Sequence, residues 1–142
     1  MTITGYSAFD STLQKTNRIL RQIEESYDWP KERRNQSYAA LRAVLHALRD
    51  RLTVDEAAQF SAQLPMLVRG IYYEGWDPSQ VPKKMHRDDF LDHIRREMPF
   101  EVKGGAEGVV HTVAKALRLY ITDGEWDDIV AEMPKDLAAM LP

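Results

Sequence analysis

The amino-acid sequence predicts an all-α protein of two pseudo-repeated helical units, with about seven or eight helices packed as one compact bundle-like domain. Three observations lead to this prediction. Apolar residues recur at spacings of three, four and seven, which is the period of helices with one buried face. Thr and Pro residues that can begin helices stand between these apolar stripes. The pattern of apolar residues, caps and prolines that begins at Leu41 also returns from Val110 onward.

The first predicted helix begins near Ser7 and ends near Asp28, because Trp29 precedes a proline and is biased away from helical angles. Its apolar face is formed by Phe9, Leu13, Leu20, Ile23 and Tyr27. The second helix, residues 31–51, follows Pro30. Its buried stripe is formed by Tyr38, Leu41, Val44, Leu45, Leu48 and Leu52. Residues predicted to lie off that stripe include Arg34, Arg42, Arg49 and Asp50.

Two shorter helices complete the first unit, residues 7–76. Thr53 and Glu56 match a capping box, in which each side chain accepts a hydrogen bond from the other residue's backbone N–H, so a third helix should run to about residue 63. Pro65 begins a fourth helix that ends before Gly75. Residues 77–85 include two prolines and have no helical period, and we interpret them as the loop between the units.

Four more helices are predicted in the second unit, residues 86–142. They cover residues 86–98 and 106–120, then restart after Thr122, which forms a second capping box with Glu125, and after Pro134. The two units align without a gap, with Leu41, Val44, Leu48, Thr53, Glu56, Ala62, Leu64 and Pro65 matching Val110, Val113, Leu117, Thr122, Glu125, Ala131, Met133 and Pro134. Because one unit cannot cover its own apolar face, we expect the two to pack face to face.

Composition and charge exclude several functional classes. The 142 residues are 44% hydrophobic, which is enough for a core, and the net charge of −3 gives no overall basic field for nucleic acid or anionic lipid. The absence of cysteine excludes thiolate catalysis and Cys-based metal sites. The first residues lack a signal-peptide pattern, and no stretch reaches the roughly 20 apolar residues of a membrane span. We therefore expect a cytoplasmic protein that binds neither nucleic acid nor membrane.

The densest part of the sequence resembles a known family. Residues 40–76 contain the segments AVLHALRDRL, AQLPMLVRG and YYEGW around an acidic helix cap. Together these segments resemble the bacterial family catalogued as domain of unknown function 2267, and the resemblance extends from about Phe9 to Leu141. It implies an all-helical bacterial protein without an assigned activity, and it implies no catalytic residue.

Histidine–carboxylate spacings are the main candidates for chemistry. Asp89, His93 and Glu97 lie four residues apart on one helix, with His86 a turn earlier, so a metal site is one interpretation. They lie at or beyond the border of the apolar stripe, and a solvated charged face is the favoured interpretation. Further pairs at the same spacing are His46 with Asp50 and Glu107 with His111. No nucleophile accompanies them, so we assign no catalytic set, metal or cofactor.

Two other patterns are given structural interpretations. Residues 103–108 are glycine-rich and begin a helix, but they lack phosphate-loop spacing, and Glu107 would repel a phosphate. The short basic patches, Lys31, Arg33, Arg34 and Arg42, and Lys83, Lys84 and Arg87, do not form a stripe with exposed aromatic residues. We interpret the first as a flexible helix start and the second as solvated surface.

An aromatic cluster is the candidate interface. Tyr72, Tyr73 and Trp76 lie within five positions and cannot all face one core; Tyr and Trp are favoured interface anchors, although Trp76 could also cover the core. The leading functional hypothesis is a non-enzymatic interaction or scaffold protein that binds a protein partner or itself. The alternative is a binder of a small apolar ligand or metal between the units, with or without turnover. Its crevice would be lined by Leu45, Leu48, Val113 and Leu117.

Overall fold

A computed structural model of the chain describes residues 4–142, and this range is helical, with no strand. The helices are α1 (Ser7–Tyr27), α2 (Arg34–Arg51), α3 (Val54–Ser61), α4 (Met66–Tyr73), α5 (Arg87–Glu97), α6 (Gly105–Leu117), α7 (Asp123–Ala131) and α8 (Lys135–Ala138). Short 3-10 turns cover Lys31–Arg33 and Pro78–Gln80. The all-α prediction is confirmed, with eight α-helices in the described range. None of the helices in residues 4–142 combines the length and apolar character needed to cross a bilayer.

Helix α2 is the centre of the fold. It packs against α1, α4, α5 and α6, which come from both predicted units. All eight residues from Ala43 to Asp50 are buried, and one apolar core continues from α1 to α8. A helix enclosed on all sides buries its polar side chains as well, and these need partners inside the protein.

The predicted apolar stripes are wrong at three places. Phe9 and Tyr38 were assigned to buried faces but are 48% and 43% exposed. Arg49 and Asp50, predicted to lie off the α2 stripe, are buried. The stripes assumed one buried face along each whole helix, whereas α2 is buried on every side from Ala43 to Asp50 and exposed near its beginning at Tyr38. Phe9 is exposed at the beginning of α1.

The beginning of α1 buries polar residues where an apolar face was predicted. Thr12 and Thr16 are buried there, and the Thr12 hydroxyl accepts a hydrogen bond from the Leu67 backbone N–H at 2.9 Å. This N–H lies in the first turn of α4 and has no partner within its own helix. The polar face of α1 therefore caps α4, and Phe9 turns outward.

Helix starts in the two units coincide at the predicted offset. Helices α3 and α7 begin at Val54 and Asp123, and α4 and α8 begin at Met66 and Lys135, which is the offset that separates Leu41 from Val110. The hydroxyls of Thr53 and Thr122 each accept from the third backbone N–H of their helix at 3.2 Å. The capping box is complete only at α3, where the Thr53 N–H donates to Glu56; at α7 the structure contains the Thr122 half. Descent from one duplicated unit stays a prediction.

Candidate functional site

Two histidine–carboxylate pairs lie between α2 and α5. Nδ1 of His46 is 2.9 Å from Oε1 of Glu97, and Nε2 of His93 is 3.0 Å from Oδ2 of Asp50. Each helix supplies one histidine and one carboxylate that are a turn apart. The histidine of each helix contacts the carboxylate of the other. The four side chains are only 4–22% exposed. We call these four residues, with Arg42 and Arg49, the charge network.

The arginines of α2 extend the charge network to α4. Arg49 donates from Nε to Asp50 at 2.8 Å, and from Nη1 to the carbonyls of Tyr72 and Glu74 at 3.0 and 2.8 Å. Arg42 donates to Glu97 at 2.6 Å and to the exposed carboxylate of Glu74 at 2.7 Å.

The C-terminal end of α4 is the third part of the arrangement. Nε2 of His46 lies 2.8 Å from the carbonyl oxygen of Ile71. The carbonyls of Ile71, Tyr72 and Glu74 thus all contact basic side chains of α2. The last carbonyls of a helix carry its partial negative charge, so these contacts stabilise the end of α4.

The surroundings lower the pKa of both carboxylates. Burial raises the pKa of Asp50, but hydrogen bonds from His93 and Arg49 and the positive charges of Arg49 and Lys83 outweigh burial and lower it to about 2. Burial likewise raises the pKa of Glu97, and the hydrogen bond from His46 with the charges of Arg42 and His93 lowers it below its ordinary value. Both groups are therefore carboxylates at neutral pH.

Acid should remove the stabilisation that Asp50 provides. Its folded pKa is about 2, below the roughly 3.9 of an unfolded Asp. Its contribution, roughly 2 kcal/mol, is therefore fully present above pH 4 to 5 and is lost as the pH falls towards 2. Urea unfolding between pH 2 and 6 measures this loss. The free energy of unfolding of the Asp50→Asn variant should fall less between pH 6 and pH 2 than that of the wild type. An equal fall in both proteins would contradict the lowered pKa of Asp50.

The structure separates the predicted metal ligands. Asp89 accepts a hydrogen bond from the His86 backbone N–H at 3.2 Å and caps α5, whereas His93 and Glu97 face α2. The favoured interpretation of a solvated face is wrong for His93 and Glu97 and holds for exposed Asp89. Within residues 4–142, no group of three or more His, Cys, Asp or Glu is arranged to hold a metal.

The other predicted pairs also have different partners. His46 and Asp50 each bind a residue of α5, and Glu107 pairs with Arg87 while His111 is exposed. Sequence reasoning missed the charge network because it treated each pair as separate. The signal was available in the matching spacing of His46–Asp50 and His93–Glu97.

The predicted aromatic interface is divided between core and surface. Tyr72 is fully buried, and its hydroxyl donates to the carbonyl of Ala57 at 3.0 Å. Tyr73 and Trp76 are half-buried, with ring centroids 5.2 Å apart. Any interface formed here would be presented by Tyr73 and Trp76.

An apolar groove lies between the beginning of α1 and α4. It has a volume of about 400 Å³ and no charged residue in its lining, which consists of Thr4, Phe9, Thr12, Leu13, Met66, Leu67 and Gly70. Phe9 and Met66 are each 48% exposed and Leu67 is 40% exposed. Grouped exposed apolar side chains are typical of binding surfaces. Sequence reasoning missed this surface because it placed Phe9 and Leu13 in the core.

Gly70 is one of the residues that line the groove. It lies inside α4 with ordinary helical geometry, and a Cβ added there would meet no atom within 4 Å. A glycine inside a helix costs roughly 1 kcal/mol relative to alanine. Neither its backbone angles nor its own packing requires a glycine, so a close approach from outside the chain would account for it.

Comparison with protein families assigns the chain to a group. The model of a family described as an uncharacterized conserved protein (DUF2267) matches residues 16–140, which is most of the chain. The chain belongs to the DUF2267 family. The resemblance in residues 40–76 is thereby confirmed at the level of the family. Comparison with curated proteins found no significant match. The description of the DUF2267 family names no activity, so a functional proposal for this member depends on its own geometry.

Proposed function

We propose that this DUF2267 member is a non-enzymatic interaction protein of the bacterial cytoplasm that binds a second copy of itself through the groove between α1 and α4. The observation that carries the proposal is the uncharged groove whose lining includes the exposed side chains of Phe9 and Met66 and the glycine at position 70. Without a charged residue in its lining, the groove favours an apolar surface over nucleic acid or a charged metabolite.

The second copy is favoured because the surface is complementary to itself. A two-fold interface uses the same patch on both partners, so the patch must contain both projections and a recess. Phe9 and Met66 are half-exposed, and with Gly70 they line a recess of about 400 Å³. A projecting side chain of one copy can therefore fill the recess of the other in both directions.

A small apolar ligand between the two units has less support. The side chains predicted to line that crevice are Leu45, Leu48, Val113 and Leu117, and each is at most 1% exposed. They pack against one another as part of the continuous core. A ligand at this position would have to displace core side chains.

Filling the recess should weaken self-association. The chain has a mass of 16.4 kDa, and a species of twice that mass is expected in sedimentation equilibrium. Gly70→Leu should raise the dimer dissociation constant at least roughly tenfold, because the new side chain occupies the partner's space at the centre of the interface. Its own fold has room for the added Cβ.

The matched control is Gly124→Leu. Gly124 is also inside a helix and has nothing within 4 Å of an added Cβ, but it is not among the residues of the groove. This variant should dimerise like the wild type. A wild-type protein that remains monomeric at millimolar concentration would refute the proposal. Weakening by Trp76→Ala but not by Gly70→Leu would instead move the interface to the predicted aromatic cluster.

A further inference from the structure

The His46 ring is held between two hydrogen-bond acceptors. Nδ1 lies 2.9 Å from a carboxylate oxygen of Glu97, and Nε2 lies 2.8 Å from the carbonyl oxygen of Ile71. A carbonyl can only accept, so Nε2 must carry a hydrogen. A neutral imidazole then has a lone pair on Nδ1, which would face the negative carboxylate. Both contacts are hydrogen bonds only if the His46–Glu97 pair carries one additional proton.

Arg42 decides where that proton lies. Its Nη1 donates to the same Glu97 oxygen at 2.6 Å, which stabilises the carboxylate form. With the additional proton on His46, the ring is an imidazolium and both nitrogens donate. This assignment agrees with the lowered pKa of Glu97.

His93 differs from His46 in this respect. It has one acceptor within hydrogen-bond distance, Asp50 at 3.0 Å, while its other nitrogen is 3.8 Å from Glu97. A neutral ring with hydrogen on Nε2 satisfies that contact. Loss of a proton from His93 therefore breaks no hydrogen bond, whereas loss from His46 breaks one.

We propose that the proton on His46 is a switch that fastens the C-terminal end of α4 to α2 and so regulates the groove between α1 and α4. With the proton, His46 bridges Glu97 of α5 and Ile71 of α4. Without it, one of these two contacts becomes repulsive. The effect on the groove rests on the proposed function, but the fastening of α4 does not.

Charged groups surround the His46 ring on α2, on α5 and after α4. The charged or titratable groups that face this region are Arg42, Arg49 and Asp50 on α2, Glu74 after α4, His93 and Glu97 on α5, and Lys83 in the loop. The pKa of Asp50 and that of Glu97 are lowered, and the pKa of Arg42 is raised above its ordinary value by its hydrogen bond to Glu74.

The length of α4 connects the switch to the groove. The helix has only eight residues, with Met66, Leu67 and Gly70 lining the groove and Ile71 in contact with His46. Releasing the Ile71 carbonyl at one end therefore loosens a wall of the groove at the other.

Hydrogen exchange tests the switch. Protection factors for the amides of residues 71–76, corrected for intrinsic exchange, should fall roughly tenfold between pH 5.5 and pH 8.0, which corresponds to one lost charge-assisted hydrogen bond. His46→Gln cannot titrate and should have equal protection at both pH values. The matched variant His93→Gln should retain the pH dependence. All proteins carry Gly70→Leu, so the result does not depend on dimer formation.

Nitrogen NMR of the wild-type His46 ring provides a second measurement that does not depend on a variant folding. At pH 6.0 both ring nitrogens should have the chemical shifts of protonated nitrogen. A neutral His46 ring with one protonated nitrogen would overturn the proposal. Equal protection of residues 71–76 at pH 5.5 and pH 8.0 in the protein that carries Gly70→Leu alone would also overturn it. If the fastening is observed but wild-type dimerisation is absent, the switch stands and the function proposed for the groove fails.

Discussion

Replacing Asp50 by Ala is expected to lower the free energy of unfolding by about 3 kcal/mol. The carboxylate accepts from Arg49 at 2.8 Å and from His93 at 3.0 Å, and the side chains of Asp50 and Arg49 are at most 7% exposed. Removing one partner of a buried ion pair leaves the other charge without compensation in a poorly hydrated place. The carbonyls of Tyr72 and Glu74 still bind Arg49, which keeps the loss at the lower end of the usual range.

Urea denaturation at pH 7 measures this effect. Asp50→Asn retains the size of the side chain and one oxygen acceptor, so it should lose less than the alanine variant. A loss below about 1 kcal/mol for Asp50→Ala, the size typical of an exposed ion pair, would mean that the charge network contributes little to stability. The six residues would then be an incidental arrangement and not the connection between α2, α4 and α5.

Replacing Trp126 by Ala should cost about 4 kcal/mol. The indole is 1% exposed, and its Nε1 donates to the carbonyl of Pro142 at 2.8 Å. The guanidinium of Arg118 lies over the ring, 5.7 Å from its centroid. The substitution therefore removes a large buried volume, one hydrogen bond and a cation–π contact at once.

The free energy of unfolding, measured with heat or urea, should separate the contribution of the buried volume of Trp126 from that of its hydrogen bond. Trp126→Phe keeps much of the volume and loses the N–H, so it should lie between the wild type and Trp126→Ala. We expect the alanine variant to expose residues 139–142 to proteolysis before the rest of the chain. A stability loss in Trp126→Ala of less than half the expected value would contradict the packing of α7 described above.

Local signals in the sequence predicted most of the helix boundaries. Thr53 and Pro65 lie directly before α3 and α4, and Thr122 and Pro134 lie directly before α7 and α8. Caps and helix-starting prolines act on backbone groups a few residues away, so they can be read without knowledge of the fold.

The burial of the charge network could not be predicted from single helices, because it depends on neighbours that are distant in sequence. Helical period places Asp50 and Arg49 away from the apolar stripe, which normally indicates solvent. In the fold, α5 covers Asp50, whose partner His93 is 43 residues away in the sequence. The end of α4 covers Arg49, whose partner Tyr72 is 23 residues away. Only the packing of α2 at the centre decides that these side chains are buried.

The predicted repeat gives the positions at which helices start, but it does not give the surroundings of the matching side chains. Ala57 in α3 and Trp126 in α7 are matching positions of the two units, and both are buried. In the first unit Tyr72 reaches the Ala57 carbonyl, whereas in the second unit the large indole itself fills the space and binds Pro142. Positions 57 and 126, which the predicted repeat matches, therefore have different side-chain environments.

The central claim is that the groove between α1 and α4 joins two copies of the chain. Hydrogen exchange of the wild type at fixed pH, compared between dilute and concentrated protein, tests it most directly. Concentration should increase the protection of residues 6–13 and 66–70, while the amides around Gly124 remain unchanged. Protection that does not change with concentration, or that rises around Trp76 while the groove is unaffected, would contradict the account.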